Sequence, residues 1–573
     1  MGCFRPQRLP VKDWREQLHT ISDEGGAWTM KRPWLKQYER HVLHSITYPE
    51  IPIHRFLLDT VAKHQGDIAL SFNEIQIPYN ELNARINLFA HALQKAGVEK
   101  GDRIAFLLVN SPVYVIAFFA VLKIGAVVVN LNVGIQGEEL LRCLNESGAK
   151  GVVTIDLFAY NIYKVIQNTK VKTVILHSVM GLEKKMRLDE GVPQPQLFQE
   201  ALSAARNTEE PVARVSPDDV AVLQYTSGST GVPKAATLTH SNLVATVLQS
   251  DTWMGIENAG NAAVMCVIPF FHVFGMSACL LLSVFKGYRM VLLPRMDLMD
   301  ILSLVKTIES YRPISFPAVP SLWGAILSLP PETARNQLSS IQVATSGGAS
   351  LPAWAHERFE KLTGRKMMEA YGLSEASSAT HFTPYPSGGP RGSIGVPLPD
   401  TDAMIMDIET GEKECPVNEI GELVVKGPQI MQGYWNSEDL TATALRHGWL
   451  YTGDLARMDQ NGFFYIMDRR DDLVISSGFN VYPSEIEEVL AKHPKIKDAA
   501  VIGIPDRIKG QTILAVIVLR EGMQGDKEEF LSYCKENMPD YRVPKAILFR
   551  DAIPRNQAGK ILKRALRQEA HTV

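Results

Sequence analysis

An α/β protein is predicted: a large N-terminal domain of helix-covered sheets carrying a β-rich subdomain, followed by a small α+β domain. Three observations predict it. Short apolar runs alternate with stretches of helical period from residue 51 onward, the pattern of parallel sheets covered by helices. Near residue 385 the texture changes to Gly, Pro and β-rich runs. A charged stretch, Asp468-Arg469-Arg470-Asp471-Asp472, then precedes residues 473–573, which read as a separate folding unit. At 573 residues the chain exceeds what one core organises.

The elements follow in order. Residues 1–50 are polar and irregular, with Trp14, Trp28 and Trp34 expected to pin an extension against the body. Leu82, Ile86, Phe89, Ala90 and Leu93 recur at helical spacing, with Asn80 as expected N-cap and Gly97 as stop. Strands are expected at 104–109, 126–130, 151–155 and 173–176. Residues 104–133 carry one formal charge, Lys123, and invite a membrane reading. Asn110-Ser111-Pro112 and Gly125 instead divide them into a buried strand–helix–strand unit. Residues 180–215 read as a charged surface connection. The runs 392–395, 421–427 and 433–436 are assigned to the antiparallel subdomain at 386–467. The last segment is expected to hold helices near 484–492, 526–537 and 559–569, with strands at 499–503, 513–519 and 546–549.

Composition narrows the classes. A hydrophobic share of 46% with 21% charged residues is that of a globular chain. A net charge of -3 excludes nucleic acid as the main partner, because no basic balance exists to release counterions. The six cysteines are scattered without a CxxC pair, which reads as reduced thiols in a cytoplasmic protein. The N-terminus lacks the apolar core of a signal peptide, and Pro6 breaks a myristoylation pattern after Met1-Gly2.

Four motifs carry chemistry. Tyr225-Thr226-Ser227-Gly228-Ser229-Thr230-Gly231-Val232-Pro233-Lys234 is suited to polyphosphate. Its glycines let N–H groups turn toward an anion, its hydroxyls donate, and Lys234 adds charge. It is not a Walker loop, since Val232 and Pro233 separate Gly231 from Lys234. Tyr371-Gly372-Leu373-Ser374-Glu375 places a hydroxyl beside a carboxylate; Tyr451-Thr452-Gly453-Asp454 is a turn with one acid. Pro554-Arg555-Asn556-Gln557-Ala558-Gly559-Lys560 puts a lysine on a turn before a helix. Singly, each is an ordinary surface turn. Their order and separation give them meaning.

The set resembles the adenylate-forming superfamily, which includes acyl-CoA synthetases, luciferases and the adenylation domains of peptide synthetases. Residues 468–472 followed by Ser477-Gly478-Phe479-Asn480-Val481-Tyr482-Pro483 look like its hinge and the start of its mobile C-terminal domain. Ile268-Pro269-Phe270-Phe271-His272-Val273-Phe274-Gly275 looks most like fatty-acid and related acyl-CoA synthetases. The pattern departs at Ala235, Ser374, Asp468 and Asn556, where Gly, Thr, Gly and Thr are commoner; no departure removes a group the chemistry needs.

The resemblance implies ATP, CoA and Mg²⁺, with a carboxylic acid as the third small-molecule partner. Thr226, Ser227, Gly228, Ser229, Thr230, Gly231 and Lys234 would hold the outer phosphates, and Glu375 the magnesium. Gly348, Ala349, Ala370, Tyr371, Gly372 and Ser374 would frame the adenylate. Asp454 would accept the ribose hydroxyls with Arg469 assisting, and Lys560 would bridge the acyl carboxylate and the α-phosphate. His272 and Gly347 would face the acid, Asp471 would be the hinge, and Gly478, Phe479 and Asn480 would line the CoA path. Phe270–Met276, Val319–Leu327 and Ser346–Ala349 are the expected pocket segments.

The expected reaction is an ATP-dependent acid–thiol ligation through an acyl-adenylate, with a medium- or long-chain fatty acid as substrate. An alicyclic or aromatic acid is the alternative. A carrier-protein acceptor, a luciferase-like oxygenase and an inactive acyl-adenylate sensor are the rivals, the last opposed by the intact Lys234, Glu375, Asp454 and Lys560. Oligomeric state and peripheral membrane contact are left open.

Overall fold

Two parallel-rich sheets carry most of the first part of the chain, and the expected strands at 104–109, 126–130, 151–155 and 173–176 lie together in one of them. The computed structural model describes residues 21–22, 29–181, 191–226, 233–256, 261–294, 301–476, 479–506, 510–555 and 561–570. They divide into two compact units: Met1–Asp402 with Lys426–Leu450, and Ala403–Val425 with Tyr451–Val573.

In the first unit, an eight-stranded sheet runs in the order Gly433–Tyr434, Lys234–Thr239, Val220–Thr226, Val127–Asn130, Arg103–Leu107, Gly151–Ile155, Thr173–His177, Pro195–Leu197. The pairs from Val220–Thr226 to Pro195–Leu197 are parallel, and Lys234–Thr239 returns antiparallel. A nine-stranded sheet runs Val396–Pro397, Ser378–Phe382, Met368–Leu373, Val343–Gly347, Ser315–Ala318, Ala263–Cys266, Arg289–Leu292, Ile68–Phe72, Ile75–Pro78.

The unit at 104–133 is the expected strand–helix–strand. Its helix, Pro112–Lys123, is capped by Ser111, whose Oγ accepts from the Tyr114 N–H at 3.3 Å, and begins on Pro112, whose missing N–H costs nothing there. Its 12 residues span about 18 Å, far short of a bilayer core of about 30 Å. No helix of the described residues is long and apolar enough to cross a membrane. Lys123 is buried at the end of this helix, held by both Glu210 carboxylate oxygens at 2.7 and 2.8 Å and by Asn83 and Asn87. One sheet face buries Ala105, Leu107, Val127 and Val129 against Leu140, Leu144 and Ile162 of the helices Gly137–Ser147 and Asp156–Val165.

Several local expectations are corrected. The helix Tyr79–Lys95 is preceded by Pro78 rather than capped by Asn80, whose amide oxygen instead accepts from the Glu81 N–H. Gly97 does terminate it, at φ +81°. The connection at 180–215 holds an edge strand, Pro195–Leu197, and a helix, Phe198–Ala204, that buries Phe198. The runs at 392–395 and 433–436 do not join an antiparallel subdomain: Val396–Pro397 extends the nine-stranded sheet and Gly433–Tyr434 the eight-stranded one. The period-2 pattern of such short runs names no partner strand. Trp34 is buried as expected, in the turn Pro33–Gln37, while Arg32 ion-pairs Asp402 at 2.6 Å. Trp14 and Trp28 lie outside the described residues.

In the second unit, the 473–573 segment carries the expected strands Ile496–Asp506, Gly510–Leu519 and Ala546–Phe549 in one sheet. Alternation along the strands splits its core: Ala499, Val501, Ala515 and Ile517 pack with Ile486, Leu490 and Phe530. Ala500, Ile502, Val516 and Val518 face Leu566 on the opposite side. Both faces are therefore covered by helices, Pro483–Ala491 and Lys527–Asn537 on one and Lys563–Ala570 on the other.

Burial sets a pH dependence. Desolvation, with a smaller repulsion from Lys123, holds His54 down to about 4, and desolvation with repulsion from His54 holds His240 to about 3. Desolvation alone holds His381 to about 3. Each folded-state value lies below the unfolded one, so the unfolded chain binds more protons as pH falls through about 6.5. Stability is fully present above that value and is lost toward pH 4, at about 2 kcal/mol per histidine by pH 5. Urea midpoints at pH 7 and pH 5 check this; equal midpoints would refute it.

Candidate active site

The expected phosphate-site residues of the first unit gather at strand ends, where open α/β sheets bind ligands. Thr226 ends one strand and Lys234 begins the next, and the two are register partners. Ser227, Gly228, Ser229, Thr230 and Gly231 between them lie outside the described residues. Ala370, Tyr371 and Gly372 end the strand Met368–Leu373, and Ser374 and Glu375 form the turn that follows. That turn is conformationally demanding. Ser377 stands at φ 55° and Ser378 at φ 141°, left-handed positions that cost a non-glycine residue roughly 1–3 kcal/mol each. Hydrogen bonds hold Ser377: Ser277 Oγ donates to its carbonyl, and its own Oγ donates to that of Gln429, both at 2.8 Å.

Glu375 meets Lys234 through Tyr434. The Tyr434 hydroxyl donates to Glu375 Oε1 at 2.8 Å, and Lys234 Nζ stands 5.6 Å from the centre of the same ring. The sequence signal for Tyr434 was a run of β-formers after glycine, which was placed in the wrong sheet.

The three expected pocket segments converge. A Cβ on Gly347 would lie 3.3 Å from the Phe274 ring, and one on Gly348 would lie 3.8 Å from Val319. Gly275 admits no side chain, because its Cβ would lie 2.3 Å from the Pro269 carbonyl oxygen. It opens a π-helical stretch, Gly275–Leu281, a feature frequent at functional sites. His272, just before it, is half-buried; burial lowers its pKa, leaving the ring neutral at pH 7. Its Nδ1 lies 3.2 Å from the Phe274 N–H and accepts from it, so Nε2 carries the proton and is a donor.

Four buried polar side chains position that segment, and sequence reasoning missed them. The Asn110 amide donates to the Cys266 and Ile268 carbonyls at 2.9 Å and accepts from the Phe270 N–H at 2.8 Å. The single Tyr114 hydroxyl proton is shared between Asn130 Oδ1 at 2.6 Å and the Phe270 carbonyl at 2.9 Å; Asn130 donates to Gln224, and Gln224 to the Phe271 carbonyl. A polar residue inside an apolar run was the available signal, and at Asn110 it was read only as a break.

In the second unit Asp454 and Arg469 are cross-strand partners, with Arg469 Nε 2.8 Å from Asp454 Oδ1. Asp471 lies exposed in the single turn Arg470–Asp472, between the strands Phe464–Arg469 and Val474–Ser476. Beside it, Arg567 binds Asp472 at 2.5 Å. Asp468, the departure at the position before Arg469, accepts from the Ser484 N–H at 2.9 Å and so caps the helix Pro483–Ala491. Asn480 is exposed on the strand Phe479–Val481. Ala349 lies exposed after Gly348 in the first unit, and Gly478 and Lys560 lie outside the described residues.

The profile of the AMP-binding enzyme family matches residues 57–435, and that of the AMP-binding enzyme C-terminal domain matches 485–560. The chain belongs to the AMP-binding enzyme family. A long-chain-fatty-acid–CoA ligase of Bacillus subtilis (strain 168) is 37% identical to this AMP-binding enzyme over 554 residues, covering 94% of this chain and 98% of the relative. One of Yersinia pestis is 35% identical over 560 residues, covering 94% and 98%. Among solved structures, ATP-bound MatB from Rhodopseudomonas palustris superposes with TM-score 0.80 at 29% identity, covering 91% of this chain and 99% of that one.

Proposed function

We propose that this AMP-binding enzyme is an ATP-dependent acyl-CoA synthetase that activates a medium- or long-chain fatty acid through an acyl-adenylate and passes the acyl group to CoA. The observation that carries this reading is the Tyr434 side chain joining Glu375 and Lys234, in a unit where the expected acid segments also meet, Gly347 against Phe274 and Gly348 against Val319. The near full-length likeness to long-chain-fatty-acid–CoA ligases supports it.

A carboxylate is a poor electrophile because its charge repels nucleophiles and oxide leaves poorly. Attack on the α-phosphorus of ATP converts it to a mixed anhydride with a stabilised phosphate as leaving group. Bringing an anion against a polyanion is the obstacle, and preorganised positive groups answer it. Lys234 and the 226–231 loop take the outer phosphates, and Lys560 the carboxylate and α-phosphate. Gly348, Ala349, Ala370, Tyr371, Gly372 and Ser374 frame the adenylate, while Asp454 and Arg469 orient the ribose. The neutral Nε2–H of His272 donates toward the acid beside Gly347. The described residues hold no cluster of three or more His, Cys, Asp or Glu side chains able to cage a metal. A lone Glu375 fits Mg²⁺, which prefers one or two carboxylates plus substrate phosphates; bound there, it would neutralise phosphate charge. Rotation about Asp471 then replaces Lys560 with the Gly478–Asn480 segment, opening the CoA path. The reading places the enzyme in the cytoplasm.

Carboxylate-dependent pyrophosphate release, measured with and without CoA across fatty, alicyclic and aromatic acids, tests this. Repeated turnover with fatty acids only when CoA is present is expected. A burst that CoA leaves unrelieved would point to a carrier-protein acceptor. Turnover with aromatic or alicyclic acids alone would overturn the fatty-acid assignment.

A further inference from the structure

The segment 431–435 links the edge of the eight-stranded sheet to the turn that carries Glu375. On one side the Met431 N–H donates to the Glu375 carbonyl at 2.8 Å. On the other, Gly433–Tyr434 pairs with the strand that begins at Lys234: Ala236 and Thr237 are its register partners, and the Gln432 N–H donates to the Thr237 carbonyl. Tyr434 is itself fixed in place. Its N–H donates to Thr441 Oγ1 at 2.9 Å, and a Cβ on Gly433 would lie 2.6 Å from the Thr441 methyl. From this fixed point the hydroxyl reaches Glu375 and the ring face reaches Lys234.

We propose that Tyr434 is a positioning residue for the magnesium nucleotide, setting the Glu375 carboxylate and the Lys234 ammonium in one arrangement before ATP arrives. The proposal rests on the reading of Glu375 as the magnesium ligand and Lys234 as a phosphate ligand given above. The chemistry suits the task. An ionised carboxylate offers about four lone-pair sites, so one donated hydrogen bond orients it and leaves acceptor capacity for a cation. An aromatic face attracts an ammonium without neutralising it, so Lys234 keeps its full charge for phosphate. A second carboxylate would hold Lys234 as well but would repel ATP, and an aliphatic residue would hold neither group. Tyrosine does both with one side chain, and it couples the first residue of a strand in one sheet to the turn that follows a strand of the other.

The test uses the full-length chain and two variants, Tyr434→Phe and Tyr434→Leu. The first removes only the hydroxyl, the second also the ring. ATP-dependent thermal stabilisation is titrated with Mg²⁺ for each, alongside pyrophosphate release. Tyr434→Phe is expected to melt with the parent when no ligand is present. It should need roughly tenfold more Mg²⁺ for half-maximal stabilisation, as loss of a charge-assisted hydrogen bond implies, with KM for the acid unchanged. Tyr434→Leu should in addition need several-fold more ATP at saturating Mg²⁺, from loss of the cation–π contact. A Tyr434→Phe chain that titrates with Mg²⁺ like the parent overturns the proposal. So does a lowered melting temperature without ligand at an unchanged Mg²⁺ requirement, which marks a purely structural role. If no acid elicits pyrophosphate release from the parent, the ligase reading fails while the stabilisation titration still decides on Tyr434. A parent that Mg²⁺ and ATP do not stabilise refutes both.

Discussion

A Lys560→Ala chain should release pyrophosphate from acid and ATP roughly 10²–10³-fold more slowly than the parent, the usual cost of removing one preorganised charge from a developing anion. It should still convert a supplied acyl-adenylate and CoA to thioester at a rate within a few-fold of the parent. The split follows from the chemistry of the two steps. Only the first brings a carboxylate against a triphosphate; the second is thiolate attack on an activated carbonyl. Quenched-flow measurement of both half-reactions separates them. Equal losses in the two would show that the lysine supports the fold or the domain arrangement, and an undiminished first step would remove it from catalysis.

Gly372→Ala should be strongly damaging to the first unit. Its Cβ would lie 1.8 Å from the Ser378 carbonyl oxygen and 2.7 Å from the Ala379 Cα, both backbone atoms of the facing strand. That strand is already committed: the register shifts between Tyr371 and Gly372, Ser377 and Ser378 hold left-handed conformations, and Ser377 is fastened to Ser277 and Gln429. Neither strand can retreat without moving the turn that carries Glu375. A loss of about 3 kcal/mol is expected, the upper range for overpacking. Stabilisation by Mg²⁺ and ATP should fall with it. Gly66→Ala is the control, because nothing lies within 4 Å of its Cβ and its stability should stay within about 0.5 kcal/mol of the parent. Matching urea midpoints for the two variants would sink the prediction.

These two glycines show what a linear sequence can report. The strands at 151–155 and 546–549, and the helix Pro112–Lys123, were legible because apolar spacing alone determines them. The family and its motifs were legible because a phosphate site needs particular groups in order. Partnership was not legible. Gly433–Tyr434 joins a strand some two hundred positions earlier, and nothing in a two-residue β-run names that neighbour. Asn110 breaks an apolar run, which is all that periodicity sees; its three hydrogen bonds reach residues 266–270. Ser377 and Ser378 occupy conformations for which a reader of turns would write glycine. Tertiary hydrogen bonds override the local preference there. Asn80 failed for the opposite reason: a good capping residue was present, but the helix begins at Tyr79, two positions before an Asn80 cap would start it.

The tethering of the 266–271 segment by Asn110, Tyr114, Asn130 and Gln224 bears on redesign. That wall is suspended from polar anchors, so altering Phe270 or Phe271 risks stranding buried carbonyls as well as changing shape. The helix Pro320–Leu327, another of the expected pocket segments, buries Leu322, Trp323, Ile326 and Leu327, and of these side chains only Trp323 carries a polar group, its indole donating to the Thr345 carbonyl. Exchanging aliphatic side chains there changes volume without orphaning a donor or acceptor. Diversity in acid preference is therefore cheapest to evolve, or to engineer, from the helix side, with the tethered wall kept as the constant half of the mould.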